Sequence, residues 1–162
     1  MVWKTAFRLL GNEADTSDCF QDIFLTAVQV SRREKIRHLP ALLNRLATHK
    51  AIDLLRLRMR TEKSMSQMDC NECPDKTQSP IQSFEIKELS DRLRQALITL
   101  PELEAQAFCL RVFNELSYRQ IAAQLQVKTG YAGALISRAK EKLQRLFSSA
   151  AVNEEIRSKT YE

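Results

Sequence analysis

Glycine and proline are scarce in this chain, at 3 and 4 of 162 residues. Sandwiches and barrels need turn residues every ~10 positions and strands dense in β-branched side chains. This sequence has neither, and it reads as all-α. The shortage of glycine also leaves no Gly-rich loop to cradle a phosphate, which excludes the common nucleotide-binding motifs. His38 and His49 are the only histidines, and they do not fall at the spacing of a metal-ligand pair. No apolar run approaches the ~18 residues of a membrane span. The opening MVWKTAFRLLG carries Arg8 inside an amphipathic pattern and has no small-residue cleavage site, unlike a secretory leader. The expectation is a cytoplasmic protein with no membrane insertion.

Cysteine is present but poorly placed for chemistry. Cys70 and Cys73 form a C-x2-C, while Cys19 and Cys109 sit inside helical patterns as core residues. A closed zinc site needs two further ligands, and none is at hand, so no metal is expected. A cytosolic chain gives no reason for disulfides. His49 and Asp53 are four apart on a helical pattern, the spacing of a surface pair rather than a catalytic dyad. Asp18 and Asp22 lack the apolar pocket that raises the pKa of a general acid. With no Ser/His/Asp grouping either, the chain is read as no enzyme and in need of no cofactor.

Charge is unevenly distributed. The net +5 divides into +5 over residues 1–60, −2 over 61–84, +3 over 85–147 and −1 over 148–162. Two basic blocks around a mildly acidic connector suit a polyanion gripped at two places.

The first block, 1–60, reads as three helices. Trp3, Ala6, Phe7 and Leu10 mark an apolar face that stops at Gly11, a natural helix end. A second helix from about Asp15 to Val30 places Cys19, Phe20, Ile23, Phe24 and Ala27 inward, which leaves Asp18, Gln21, Asp22 and Thr26 as an outward polar stripe. The basic run SRREKIRHLP leads to a third helix, about Ala41 to Arg60. On it Arg45, His49, Arg56 and Arg60 lie along one face, with Leu43, Leu46, Ala47 and Leu54 largely opposite. Between Arg32 and Arg60 there are 9 basic and 2 acidic residues, an edge able to track phosphates.

Periodicity vanishes over 61–84, a flexible linker in composition. It returns with Ile86, Leu89, Leu93, Leu97 and Leu100 on the first helix of a second block, 85–147. The run LPELEAQAFCLRVFNELSYRQIAAQLQV then reads as a helix, a break and the first helix of a helix-turn-helix. Ser117 and Gln120 have capping-box spacing. Ile121, Ala122 and Leu125 follow at helical spacing, and Ala122 is small enough for a close helix crossing. The last helix, about Thr129 to Phe147, turns Ala132, Ile136, Ala139, Leu143 and Leu146 inward, and a polar tail 148–162 follows. Such a unit places a recognition helix in a DNA major groove.

Taken together, the blocks resemble the extracytoplasmic-function class of bacterial sigma factors, small transcription initiation subunits of the sigma-70 family. RLLGNEADTSDCFQDIFLTA is similar to the clamp-binding helix of region two and ATHKAIDLLRLRMR to its promoter-melting helix. LPELEAQAFCLRVFNELSYRQIAAQL and SRAKEKL resemble region four. The resemblance implies a region 2-like three-helix bundle, a flexible linker and a four-helix region 4-like domain. It implies core RNA polymerase and promoter DNA as partners, with an anti-sigma factor as a further one. Asp18, Gln21 and Asp22 would meet the polymerase clamp. Arg32, Arg33 and Arg37, in the loop from Val30 to His38, would meet the downstream promoter element, and Arg45, His49, Lys50, Arg56 and Arg60 would line the melted strand. In the second block the candidates for DNA are Arg119, Lys128, Thr129, Tyr131, Ser137, Arg138 and Lys140.

This chain also departs from the family. Leu42 stands where tryptophan is usual and His49 where asparagine is usual, and relatives generally carry a longer stretch before the position of Trp3. Where relatives show a run like GTVKSRLHRA, residues 130–139 read GYAGALISRA. Gly133 and Leu135 thus replace a lysine and an arginine that usually face DNA, which predicts weak or degenerate reading of the upstream element. A second reading follows: a degenerate sigma-like protein that binds polymerase or an anti-sigma factor without strong upstream-element recognition.

Overall fold

Local chemistry sets the helix ends. In this computed structural model, which describes the backbone of residues 2–36, 38–65 and 81–159, α1 (Val2–Leu10) ends at Gly11, whose φ is +76°. The Gly11 amide donates to the Phe7 carbonyl at 2.8 Å, closing the last turn. Asn12 caps α2 (Glu13–Arg33) by accepting from the Asp15 amide at 2.8 Å. Glu13 and Asp15 in its first turn, and Arg32 and Arg33 in its last, complement the helix dipole. The remaining helices are α3 (Leu39–Met65), α4 (Ile81–Thr99), α5 (Glu102–Val112), α6 (Tyr118–Leu125) and α7 (Thr129–Lys159). The described residues contain no strand, and the fold is all-α.

The chain divides into two compact units, Met1–Ile98 and Thr99–Glu162. In the first, α1, α2 and α3 all pack against one another. The core is Ala6, Leu9, Leu10, Cys19, Ile23, Ala27, Ala47, Ala51, Ile52 and Leu55, with alanines letting the backbones close in. The buried stripe of α1 is Val2, Thr5, Ala6, Leu9 and Leu10, one residue earlier than periodicity predicts. Trp3 and Phe7 are instead 42% and 41% exposed, because α1 faces both α2 and α3 and small Thr5 and Ala6 fit that double contact better. Phe24, expected inside, is also half-exposed; it continues a surface row in which Trp3 meets Phe20 edge-on at 5.7 Å and Phe20 meets Phe24 at 4.7 Å.

The division places α4, read from sequence as opening the second block, in the first unit. Arg94 of α4 donates from Nε to the Leu9 carbonyl at 2.9 Å and from Nη2 to the Arg8 carbonyl at 3.4 Å. It thereby satisfies carbonyls that the end of α1 leaves without helical partners. Asp91 holds the other arm of the guanidinium at 2.6 Å. The guanidinium lies flat over Gly11, where a Cβ would stand 2.6 Å from Cζ. Gly11 is thus required twice, by its φ and by this approach. Gly11→Ala should destabilise the first unit by about 1–3 kcal/mol. A urea melt read by Trp3, the only tryptophan, checks this; an unchanged midpoint would show that neither constraint matters.

The second unit has a core of Ala107, Leu110, Ile121, Ala122, Ala132, Leu135 and Ile136, flanked by Leu116, Leu125 and Val127. Ser117 and Gln120 form the predicted capping box at the start of α6: the Ser117 amide donates to Gln120 Oε1 at 2.8 Å, and the Gln120 amide to Ser117 Oγ at 3.4 Å. Gln126, at φ 56° and ψ 42°, ends α6, and the Val127 amide donates to the Ala122 carbonyl at 2.9 Å. That left-handed residue redirects the chain into α7. With neither glycine nor proline after Ser148 to stop it, α7 runs on to Lys159, past the end expected near Phe147. Leu146, expected inside, is 42% exposed. The helices α3 and α4 each extend into the 61–84 stretch read as linker; residues 66–80, with Cys70 and Cys73, lie outside the described residues, as does Arg37.

Candidate nucleic-acid interface

Two faces of the first unit carry the candidate residues. On α2, Asp18, Gln21 and Asp22 are all exposed and sit on neighbouring turns. Burial of Cys19, Ile23 and Ala27 on the opposite side of the helix fixes that orientation. Leu25, 63% exposed, joins the same face at i+4 from Gln21, so the stripe combines two carboxylates, an amide and an apolar contact.

On α3, burial of Ala47, Thr48, Ala51, Ile52 and Leu55 turns the basic stripe outward. Arg45, His49 and Arg56 are half-buried and Arg60 is exposed. At 3.6 residues per turn the four fall within about 60° of arc. His49 Nδ1 lies 2.9 Å from Asp53 Oδ2, so Asp53 is one half of a helix-surface pair and orients the imidazole. Lys50 stands off the stripe, toward α2, with its Nζ 4.0 Å from Asp22 Oδ2. Arg58, not singled out from the sequence, reaches Asp15 of α2 at 3.4 Å. Arg32 and Arg33 are exposed in the last turn of α2.

Beneath these charges lies Cys19. Burial first, and then Asp22, push its thiol up to about 11, with Lys50 pulling the other way. In the second unit burial alone pushes Cys109 up to about 12. Both thiols stay protonated at neutral pH and are inert. Neither should be alkylated by iodoacetamide in the native protein at pH 8, whereas both should react in urea. Because each folded value lies above the unfolded one near 9, this contribution to stability is whole below pH ~9 and declines as pH rises toward the folded values. A thermal melt series from pH 8 to 11 reads the decline.

In the second unit Lys128, Thr129 and Gly130 are exposed where α7 begins, and Arg119 is exposed in the first turn of α6. Tyr131, Ser137, Arg138 and Lys140 are exposed along α7. Leu135 does not face outward: it is 2% exposed and part of the core. Position 135 is therefore not a groove-facing one in this fold, and Leu135, against the expectation from its place in the family's run, is a core residue and no lost DNA contact. Gly133 is half-exposed, and a Cβ at Gly130 or Gly133 would meet nothing within 4 Å.

Glu104 of α5 was missed in the sequence. Its side chain is 6% exposed, with Lys142 Nζ at 2.8 Å from Oε2 and Arg138 Nε at 3.8 Å from Oε1. Arg138 also donates to the Ala134 carbonyl at 3.3 Å, and its guanidinium stands 5.5 Å from the centre of the Tyr131 ring. No local signal marks this arrangement, since α5 and α7 meet only through the fold. Among the described residues no three candidate ligands gather to hold a metal, and no helix is long and apolar enough to cross a membrane.

Comparison with known proteins matches residues 1–61 to the family model for sigma-70 region 2 and residues 90–143 to that for sigma-70, region 4. The chain is 29% identical over 142 residues to an ECF RNA polymerase sigma factor, SigE, of Mycolicibacterium smegmatis, covering 88% of this chain. It spans about half, 55%, of that relative's length. The fold is similar to that of a sigma factor, RpoE, solved in complex with the anti-sigma factor NepR from Bartonella quintana. In that match the TM-score is 0.53 and the identity 22%, over 91% of this chain and 89% of the other.

Proposed function

The chain belongs to the sigma-70 family, in its extracytoplasmic-function class, and from that premise we propose that it is a transcription initiation factor of the cytoplasm. It binds core RNA polymerase, directs it to promoter DNA and helps open the strands. It catalyses no reaction of its own. The observation that carries this reading is that one small unit presents two outward faces of unlike charge, one on α2 and one on α3. The exposed Asp18, Gln21 and Asp22 of α2 suit a basic helical partner, and the Arg45–Arg60 stripe of α3 suits a displaced strand. The helix-turn-helix of α6 and α7 supplies a second DNA contact, and the exposed Lys128, Arg119 and Lys140 are its candidates for phosphates. An anti-sigma factor that covers the α2 face would hold the protein inactive.

The bare start of α7 favours the second reading, a degenerate sigma-like protein that binds polymerase or an anti-sigma factor but reads the upstream element poorly. Gly130 and Gly133 offer no side chain there. The test is co-purification of the full chain with core RNA polymerase of its source organism, followed by transcription from a library of genomic fragments. Polymerase binding with transcription from a defined promoter set supports the initiation factor. Binding without any selected promoter favours the second reading, and no binding removes the initiation factor and leaves of the second reading only a protein that binds an anti-sigma factor.

A further inference from the structure

The outward face shared by α1 and α2 is laid out as three parallel strips, and we infer from them that the chain pairs with a second copy of itself through this face. The middle strip is apolar. Trp3 of α1 meets Phe20 of α2 at 5.7 Å, and Phe20 meets Phe24 at 4.7 Å. At 3.6 residues per turn, Phe7 continues the row on α1, and Val28 and Leu25 continue it on α2. Trp3, Phe7, Phe24, Leu25 and Val28 are between 41% and 63% exposed. The polar side chains among them, Ser17 and Gln21, carry no charge. Large apolar side chains gathered in this way mark an interaction surface, whereas single exposed ones do not.

The two borders of the strip carry opposite charges. Lys4 and Arg8 edge it on α1, on the side away from α2; Asp18 and Asp22 edge it on α2, on the side away from α1. All four are exposed, and each border pair is spaced four residues apart, one turn of its helix. The face is therefore its own complement. A twofold axis running along the α1–α2 seam sets α1 of one copy over α2 of the other. Apolar strip then meets apolar strip, and Lys4 and Arg8 of each copy meet the acidic border of its partner. An axis across the seam would set like charges together, so the borders select one arrangement. A partner of uniform charge spread over the whole face would satisfy one border and be repelled at the other.

One face of two helices offers fewer side chains than the ~20–30 a side of a standard interface. The pairing is accordingly weak, with a dissociation constant of about 10–100 µM. It covers Asp18, Gln21 and Asp22, so the dimer is a holding form that cannot use the α2 stripe. That consequence rests on the reading of α2 as the polymerase contact, whereas the pairing itself does not.

The experiment is sedimentation velocity of the full chain at low salt over a concentration series. Emission of Trp3, the only tryptophan, is followed in parallel and should move to the blue as pairing covers its ring. Two charge reversals are compared, Lys4→Glu with Arg8→Glu and Asp18→Arg with Asp22→Arg. Each alone should weaken self-association by about tenfold or more. Mixed in equal amounts they should form the dimer again, because one variant is then acidic at both borders and the other basic. Misfolding could not be rescued by mixing. A wild-type chain still monomeric about tenfold above the expected range overturns the pairing. So does a dimer indifferent to both reversals, or a mixture that stays monomeric. Core RNA polymerase added to the wild-type dimer should yield complexes that hold one chain each. Two chains on one polymerase overturn the holding form, while failure to bind polymerase strikes the initiation-factor reading and leaves the pairing standing.

Discussion

Reversing both carboxylates of α2, Asp18→Arg with Asp22→Arg, should lower the affinity of the full chain for core RNA polymerase by about 100-fold or more, because like charges set against a basic partner cost several kcal/mol. The fold should survive. Both side chains are exposed, and among the described residues the ion pair that is lost, Asp22 with Lys50 at 4.0 Å, is long and itself exposed. An exposed pair of that kind contributes under ~1 kcal/mol. The helix is anchored elsewhere, by Cys19, Ile23 and Ala27 in the core and by Asn12 at its cap. Biolayer interferometry against core polymerase reads the affinity, and a thermal melt of the same variant verifies that α2 is still packed. Undiminished binding by the folded double variant would move the polymerase contact off α2. A variant of equal charge change placed at Glu13 and Glu34, at the two ends of the helix, should lose far less, because the argument depends on the stripe and not on net charge.

Where a structural feature depended on near neighbours in the chain, it could be read from the residues in advance. The Ser117–Gln120 capping box, the stop at Gly11 and the outward arc of Arg45, His49, Arg56 and Arg60 all follow from spacings within one helix. Features set by packing between helices could not be read so well. The buried stripe of α1 sits one residue from the predicted face because contact with two helices favours Thr5 and Ala6 over Trp3 and Phe7. Leu135 looked like a missing DNA contact when matched position by position, yet the crossing of α6 and α7 takes it into the core with Ile121 and Ala122. Arg94 and Leu9 are 85 residues apart, and Glu104 and Lys142 are 38 apart. No periodicity brings such residues together, which is why both anchors went unread.

The basic arc on α3 supports the last expectation. Arg45→Ala, Arg56→Ala and Arg60→Ala together should weaken binding of the full chain to single-stranded DNA by about 100-fold at moderate salt, and should flatten its salt dependence. Each arginine that neutralises a phosphate on a single strand contributes about 0.7 to the slope of log affinity against log salt. Removing three should therefore lower the slope by about 2. Arg58→Ala is the matched control: it is equally basic and in the same helix, but directed at Asp15 of α2 at 3.4 Å. It should leave the slope nearly unchanged and cost only a little stability. Lys50, set beside Asp22, should fall between the two groups. Fluorescence anisotropy with a labelled oligonucleotide across a salt series gives both quantities from one titration. An unchanged slope in the triple variant would mean that the strand runs elsewhere on the unit. A slope lowered equally by Arg58→Ala would mean that the phosphates respond to total charge, and that the common orientation of Arg45, Arg56 and Arg60 has no part in recognition.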